Sequence, residues 1–106
     1  MSKTNLKDFT KGWIVGNFNP TLLYTNDFEV AIKRYNIGDY EQVHHHKIAT
    51  EITVIVEGEV EMNGTKYIKD DIITIQSNES TDFKCITDVV TVVIKTPSAN
   101  NDKYIN

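Results

Sequence analysis

The chain has 106 residues, which is enough for one compact domain and too short for two. Apolar residues make up 40% and charged residues 25%, as in ordinary soluble globular proteins. The net charge of −4 argues against a surface that binds nucleic acid or an anionic membrane, so we expect neither partner.

Cys85 is the single cysteine, which excludes an internal disulfide framework and fits a reducing compartment. The first residues are polar, and no apolar stretch resembles a secretory signal or reaches the length that spans a bilayer. We therefore expect a cytoplasmic protein.

Short strand-like segments separated by turns follow one another along most of the chain. We predict strands at 28–37, 40–46, 51–56, 59–62, 65–68, 72–75, 82–86 and 89–95. Gly58 predicts a bulge or bend, and Asn63-Gly64 favours a two-residue type I′ hairpin between 59–62 and 65–68. No segment keeps a helical period, so we predict an all-β antiparallel sandwich or barrel.

The predicted domain is a single one, 1–106, with a core at about 28–95. An N-terminal arm covers 1–20, and the polar segment 97–106 is an arm or a loose tail. The strand 51–56 is largely apolar on both faces, whereas a face turned to water is normally polar. A homodimer would cover the second face, and so would the domain's own arms.

All three histidines are consecutive, so any imidazole chemistry must take place at one point of the chain. On a strand, His44 and His46 leave the same face and His45 leaves the other. Glu51 follows on the next strand, which can bring its carboxylate back to the same face. Two imidazoles and one carboxylate suit Fe, Mn, Ni, Co or Zn and leave positions open for substrate or oxygen.

Here the sequence resembles a known family. Gly38, His44-x-His46, Glu51 and Gly58 match the first motif of the cupins at every anchor and spacing. The resemblance extends from about Phe28 to Ile94. It implies a single-domain cupin-like jelly-roll β-barrel, often dimeric, with a site inside the barrel.

The second motif of the family is incomplete in this chain. Gly64 and Asp71 match its beginning, but the histidine that supplies the fourth metal ligand falls at Thr81. Asp82 would replace it only if the strand slipped by one residue, which would also reverse the neighbouring side chains. At most three of the usual four protein ligands are therefore present.

Three hypotheses about this site stay open. In the first, His44, His46 and Glu51 are catalytic and hold a divalent transition metal ion, with water at the remaining positions. In the second, no metal is bound and the imidazoles act as general base and acid, as in cupins that resemble sugar-nucleotide isomerases and epimerases. In the third, the barrel is a non-catalytic small-molecule-binding cupin with a degenerate metal site.

The enzyme hypotheses predict a small polar substrate: a sugar, a sugar-nucleotide or an organic acid. The reaction would be that of an isomerase or epimerase, or of a dioxygenase-type enzyme.

Several other polar side chains are candidates for contact with the substrate. Lys33 and Tyr35 share one strand face, which either lines the barrel and contacts an anionic substrate or faces solvent. Gln42 lies on the face of His44 and His46 if that strand is regular. Thr53 shares the face of Glu51. The candidate substrate-binding residues are Lys33, Tyr35, Gln42, Thr53, Thr81 and Asp82.

Overall fold

The computed structural model describes residues 1–106 and contains ten β-strands and two short 3₁₀ helices. The helices span Leu6–Asp8 and Thr10–Gly12. The strands are β1 (Trp13–Val15), β2 (Glu29–Tyr35), β3 (Tyr40–His45), β4 (Thr50–Glu57), β5 (Glu59–Met62), β6 (Thr65–Ile68), β7 (Ile72–Ile75), β8 (Thr81–Cys85), β9 (Val89–Thr96) and β10 (Tyr104–Ile105). No helix has the length and apolarity that crossing a membrane requires.

The strands form two five-stranded sheets in which every strand pairing is antiparallel. Sheet A has the order β1-β2-β9-β4-β7, and sheet B has the order β10-β3-β8-β5-β6. Apart from the pairs β1–β2 and β5–β6, consecutive strands lie in opposite sheets, which is the connectivity of a jelly roll. The all-β prediction is therefore confirmed.

The eight strands predicted from the sequence are all present, with ends that differ by one or two residues. Strands β1 and β10 were not predicted, because they have only three and two residues and too few positions to show an alternating pattern.

Gly58 marks the point where the chain passes from sheet A into sheet B. Its φ of +95° is a conformation that side chains with a Cβ rarely adopt. A Cβ built there would lie 2.1 Å from the Asp88 carbonyl oxygen. The pairing of β4 with β9 also shifts register between Ile55 and Glu57. The bend predicted at Gly58 is thus confirmed, and it connects β4 to β5.

The hairpin predicted at Asn63-Gly64 is also confirmed. Both residues have positive φ, at 50° and 78°, as a type I′ turn requires. Strand β5 pairs with β6 in the expected register, from Glu59 opposite Ile68 to Met62 opposite Thr65.

The core lies between the two sheets and is apolar. Tyr35, Tyr67 and Ile73 pack against it from the side. Its seven buried members are Ile55, Val60, Met62, Ile75, Phe83, Cys85 and Val89.

The C-terminal segment packs as an arm and not as a loose tail. Tyr104 and Ile105 pair with His45 and His44 at the edge of sheet B. Asp102 is buried, with 6% of its surface exposed. The polar composition of this segment reflects hydrogen bonds to the rest of the domain, described below.

Candidate functional site

One cavity of about 260 Å³ lies between the sheets. Sheet A contributes β1, β2, β4, β7 and β9 to its wall, and sheet B contributes β3, β5 and β8. Lys11 from the N-terminal segment, Lys103 from the C-terminal segment, and His46 and Glu79 from loops complete the lining. Because the side chains of a strand alternate between its faces, every second residue of these strands faces the cavity.

His44 and His46 both line the cavity, where their ring centroids are 5.5 Å apart. The Nδ1 atom of His44 donates to the Gln42 carbonyl at 2.9 Å, and that of His46 donates to the Asp102 carbonyl at 2.6 Å. A carbonyl only accepts hydrogen bonds, so these contacts place the proton of each neutral ring on Nδ1. Each Nε2 atom then carries a lone pair that is available to a cation or a proton.

Glu51 reaches the same wall from β4, and its carboxylate Oε1 lies 3.5 Å from His46 Nε2. The other carboxylate oxygen accepts a hydrogen bond from Thr53 Oγ1 at 3.0 Å. Burial raises the pKa of Glu51, but His46, the charge of Lys95 and the Thr53 hydroxyl together outweigh it and lower the pKa. Glu51 is therefore ionised at neutral pH.

The His46–Glu51 contact needs a positive charge to be favourable. With Nδ1 committed to Asp102, the neutral ring of His46 presents a lone pair to the carboxylate, and two acceptors at 3.5 Å repel. A proton on Nε2 or a metal ion between the two side chains removes the repulsion. In their present positions, no three His, Cys, Asp or Glu side chains of the chain are grouped to hold a metal ion. Imidazole nitrogen and carboxylate oxygen are donors that suit a divalent transition metal, but in this structure the three side chains do not surround a common point.

A scan against models of known protein families gives no match, and a search of the curated proteins gives none either. Solved structures do share the fold. A protein from Klebsiella pneumoniae with a double-stranded beta-helix domain is 17% identical, with a TM-score of 0.72 over 97% of this chain and 89% of that one. An RmlC-like cupin from Shewanella frigidimarina is 20% identical, with a TM-score of 0.65 over 73% and 71% of the two chains. The chain has the cupin fold.

A third similar structure is the DMSP lyase DddQ from Ruegeria pomeroyi. It is 16% identical to this chain, with a TM-score of 0.72, and the match covers 93% of this chain and 54% of DddQ. The same fold thus serves as part of a larger protein.

Within the cupin barrel, Thr81 stands where the family places its last metal-binding histidine. It is buried, lines the cavity and pairs with His44 in the β3–β8 register. Asp82 does not take its place. The strand has not slipped, and Asp82 lies outside the cavity, where its Oδ1 accepts the Asn63 N–H at 2.7 Å. The prediction that Asp82 contacts a ligand is corrected accordingly, because its carboxylate supports the β5–β6 hairpin.

The position of Gln42 also differs from the expectation. The register of β3 against β8 shifts between Glu41 and His44, so this strand is not regular. The irregularity turns Glu41 into the cavity and leaves Gln42 exposed on the outside. The carbonyl of Gln42, and not its side chain, supports the site through His44.

Lys33, Tyr35 and Thr53 line the cavity. The face that Lys33 shares with Tyr35 therefore lines the barrel and does not face solvent. The Tyr35 hydroxyl donates to Glu41 Oε1 at 2.9 Å. Burial, the Glu41 charge and this hydrogen bond raise the pKa of Tyr35 far above its usual range, so the phenol stays protonated. Lys33 Nζ donates to the Lys11 carbonyl at 2.8 Å.

His45 and Cys85 have no place in the cavity lining. His45 Nδ1 contacts the Asn106 side chain, and its ring stacks on Tyr104. Burial raises the pKa of Cys85 to about 12, which makes the thiol a poor nucleophile at neutral pH.

Four cavity residues that sequence reasoning did not select come from distant parts of the chain. Trp13 lies in the predicted N-terminal arm, and Lys95 ends a strand whose inner face was not assigned. Lys11 and Lys103 lie in the terminal segments, where no pattern signals proximity to the histidines. Of these four residues, only Lys95 could have been identified from the sequence, by the alternation of side chains along β9.

Asp102 supports the histidine loop from the C-terminal segment. Its carboxylate accepts backbone N–H groups of Lys47, Ile48 and Ala49 at 2.9–3.2 Å, and its carbonyl accepts His46 Nδ1. Burial raises the pKa of Asp102, but the three backbone hydrogen bonds and the nearby His46 lower it overall. The segment therefore fixes the orientation of His46.

Proposed function

We propose that this cupin is an enzyme that acts on a small polar molecule, with its reaction centre at His44, His46 and Glu51. The observation that carries the proposal is the contact of 3.5 Å between His46 Nε2 and the Glu51 carboxylate on the wall of the cavity. Two facing acceptors create a position for a cation, and burial strengthens the interaction of both groups with that cation.

Proton transfer is one reaction class that the centre supports, and it corresponds to an isomerase or epimerase. His46 takes a proton on Nε2 while its Nδ1–H keeps its hydrogen bond to the Asp102 carbonyl. The adjacent Glu51 carboxylate stabilises the imidazolium ion that results. Tyr35 donates its one hydroxyl proton to Glu41, so its hydroxyl oxygen is an acceptor for a hydroxyl group of the substrate in the same cavity.

A bound divalent metal ion is the second way to supply the cation, and His44, His46 and Glu51 would hold it. Both rings have Nδ1 committed to a backbone carbonyl, which is the arrangement that prepares Nε2 for a metal. Such an ion would polarise a substrate oxygen, and a redox-active one would also permit dioxygenase-type chemistry. A DMSP lyase with the same fold supports a small-molecule enzyme in general terms.

Metal binding is tested on protein stripped of metal with a chelator and then titrated with Mn, Fe, Co, Ni and Zn. We expect at least one ion to bind at one per chain and to raise the Tm, because a ligand that binds the folded state stabilises it. His46→Gln and Glu51→Gln should abolish the shift. His45→Gln is the matched control and should keep it, since His45 lies outside the cavity. If no ion binds, or all variants respond alike, the metal hypothesis is wrong.

Catalysis is tested by incubating the protein with sugars, sugar-nucleotides and organic acids in D₂O, with and without metal. An isomerase or epimerase exchanges a substrate proton with solvent, so NMR should show deuterium entering one of the substrates. His46→Gln should lower that rate by about 100-fold or more, the usual contribution of a general base. Saturable binding of a compound with neither exchange nor turnover would support the non-catalytic alternative instead.

A further inference from the structure

We propose that the end of the cavity around Trp13 is an anion subsite, which binds the carboxylate of the substrate between Lys33 and Lys95. The inference deepens the proposed function, because it names the substrate class of the same cavity: a small organic acid. Four observations carry it, namely the placement of the two ammonium groups, the charge balance, an unpartnered hydroxyl and the size of the cavity.

The ammonium groups of Lys33 and Lys95 both lie close to one indole ring. Each Nζ is 5.0 Å from the centroid of the Trp13 ring. The sheet register explains this placement, since Trp13 pairs with Ala31 and Ala31 pairs with Val93. Lys33 and Lys95 each follow these partners by two residues, so both side chains lie on the same inner face as the partners and reach the ring.

A tight backbone contact holds Trp13 in this position. Gly12 has a φ of +82°, and a Cβ built on it would lie 2.0 Å from the Ile32 carbonyl oxygen. The chain therefore presses directly on β2 just before Trp13. The same approach brings the Lys11 carbonyl to Lys33 Nζ.

Most of the lysines at the cavity have no direct carboxylate partner, although Glu41, Glu51 and Glu79 line the same cavity. Four lysines line the cavity in a protein whose net charge is −4. Among them, only Lys95 has a carboxylate within 4.0 Å, that of Glu29. Lys33 donates to a backbone carbonyl and to no carboxylate. The lysines lining the cavity are Lys11, Lys33, Lys95 and Lys103.

The pKa of Lys33 agrees with this arrangement. Burial lowers it, Glu41 raises it in part, and Lys95, Lys11 and Lys103 lower it further. An anion bound beside Lys33 would offset the repulsion among these ammonium groups. Glu41 offsets part of this repulsion at Lys33, and Glu51 lies beside Lys95 on the neighbouring strand.

Thr91 supplies an independent sign of a missing polar partner. It lies directly opposite Lys33 in the sheet, lines the cavity and is fully buried. Its Oγ1 is the one buried side-chain polar atom in the chain without a hydrogen-bond partner. Such a group costs free energy unless it is paired, and an oxygen of a bound anion would pair it.

The dimensions select an organic acid among the substrates that the sequence left open. A cavity of about 260 Å³ lies below the usual range of roughly 300–1,000 Å³ for drug-sized ligands, which favours an organic acid over a sugar-nucleotide. Lys95 pairs directly with Glu51 across β9 and β4. Neighbouring strands are about 5 Å apart. A carboxylate bound at Lys95 would therefore be separated by only a few covalent bonds from the substrate atom that reacts beside Glu51.

The subsite is tested by fluorescence, because Trp13 is the only tryptophan in the chain. Metal-free protein is titrated with lactate and malate at constant ionic strength. Propane-1,2-diol is the neutral counterpart of lactate, and inorganic phosphate is the alternative anion. We expect saturable changes with the two acids and none with the diol. Far-UV circular dichroism verifies that each variant is folded.

Lys33→Met and Lys95→Met should each weaken lactate binding at least tenfold, and Thr91→Val about fivefold. Lys84→Met removes the same charge from an exposed position on β8 and should bind like the wild type. Lys33→Arg keeps the charge if Lys33→Met fails to fold. Equal affinities in all variants would overturn the subsite, and binding of phosphate without binding of lactate would overturn the carboxylate assignment. Since neither metal nor turnover is involved, these outcomes are independent of the test for catalysis.

Discussion

At the scale of single residues, Thr91 and Thr53 make opposite contributions to stability from neighbouring strands. Thr91 Oγ1 is buried without a partner, whereas Thr53 Oγ1 donates to the Glu51 carboxylate at 3.0 Å. Both side chains are buried and both line the cavity. The same substitution at the two positions therefore separates the cost of an unpaired hydroxyl from the value of a paired one.

Thr91→Val should raise the free energy of unfolding by about 1 kcal/mol, because it removes an unsatisfied polar atom and keeps the shape of the side chain. Thr53→Val should lower the same free energy by about 1 kcal/mol, because it leaves a buried carboxylate oxygen without its donor. Urea unfolding at neutral pH measures both values. A loss of stability in Thr91→Val would show that its hydroxyl has a partner in solution.

At the scale of elements, the loop between β3 and β4 depends on the C-terminal segment. Three consecutive backbone N–H groups of the loop point to the Asp102 carboxylate, and no other side chain satisfies them. This loop holds His46 in the cavity. The hydrogen bonds of Asp102 therefore determine both the stability of the loop and the geometry of the site.

Asp102→Ala should lower the free energy of unfolding by about 2 kcal/mol, since it leaves three backbone donors, of which that of Ala49 is buried, without their charged acceptor. For a domain of this size, the Tm would fall by roughly 10 °C. Asp102→Asn keeps one side-chain oxygen as an acceptor and should lose about half as much. Thermal unfolding followed by circular dichroism measures the series. Equal stability of the alanine variant and the wild type would mean that the segment does not hold the loop.

At the scale of the whole molecule, the outer face of sheet A is apolar. Alternation places Thr53 and Val93 towards the cavity, so their sequence neighbours face outwards. These outer side chains are only partly buried, and Ile72 is 65% exposed. An apolar surface of this kind is typical of a binding interface. The apolar outer residues are Val30, Ile32, Ile52, Val54, Val56, Ile72, Val90, Val92 and Ile94.

We propose that a second copy of the chain covers this face, as the two apolar faces of β4 led us to expect from the sequence. Light scattering after size-exclusion chromatography should give the mass of a dimer. Val92→Lys and Ile72→Lys should shift it towards the monomer, because each places a charge in the interface. Val43→Lys, on sheet B, is the matched control and should stay dimeric. A monomeric wild-type protein would contradict the homodimer.

The sequence by itself determined eight of the ten strands, the hairpin and the local part of the site. Alternation within β4 assigns its inner face, and Asn63-Gly64 fixes the register of β5 with β6, because these features depend on neighbours in the chain. The same local logic selected His44, His46 and Glu51, and the structure places all three on the cavity wall. Their role in metal binding or catalysis stays a prediction.

The tertiary structure decided everything that depends on contacts between distant segments. A bulge within β3 turns Glu41 into the cavity in place of Gln42. The bulge depends on how β3 pairs with β8, so the sequence of β3 alone does not reveal it. The antiparallel pairing of β2 with β9 brought Lys33 and Lys95 to one indole. Asp102 reached the histidine loop only through the folded C-terminal segment. Periodicity reports which face of a strand a residue occupies, and only the packing of the sheets reports which residues meet across it.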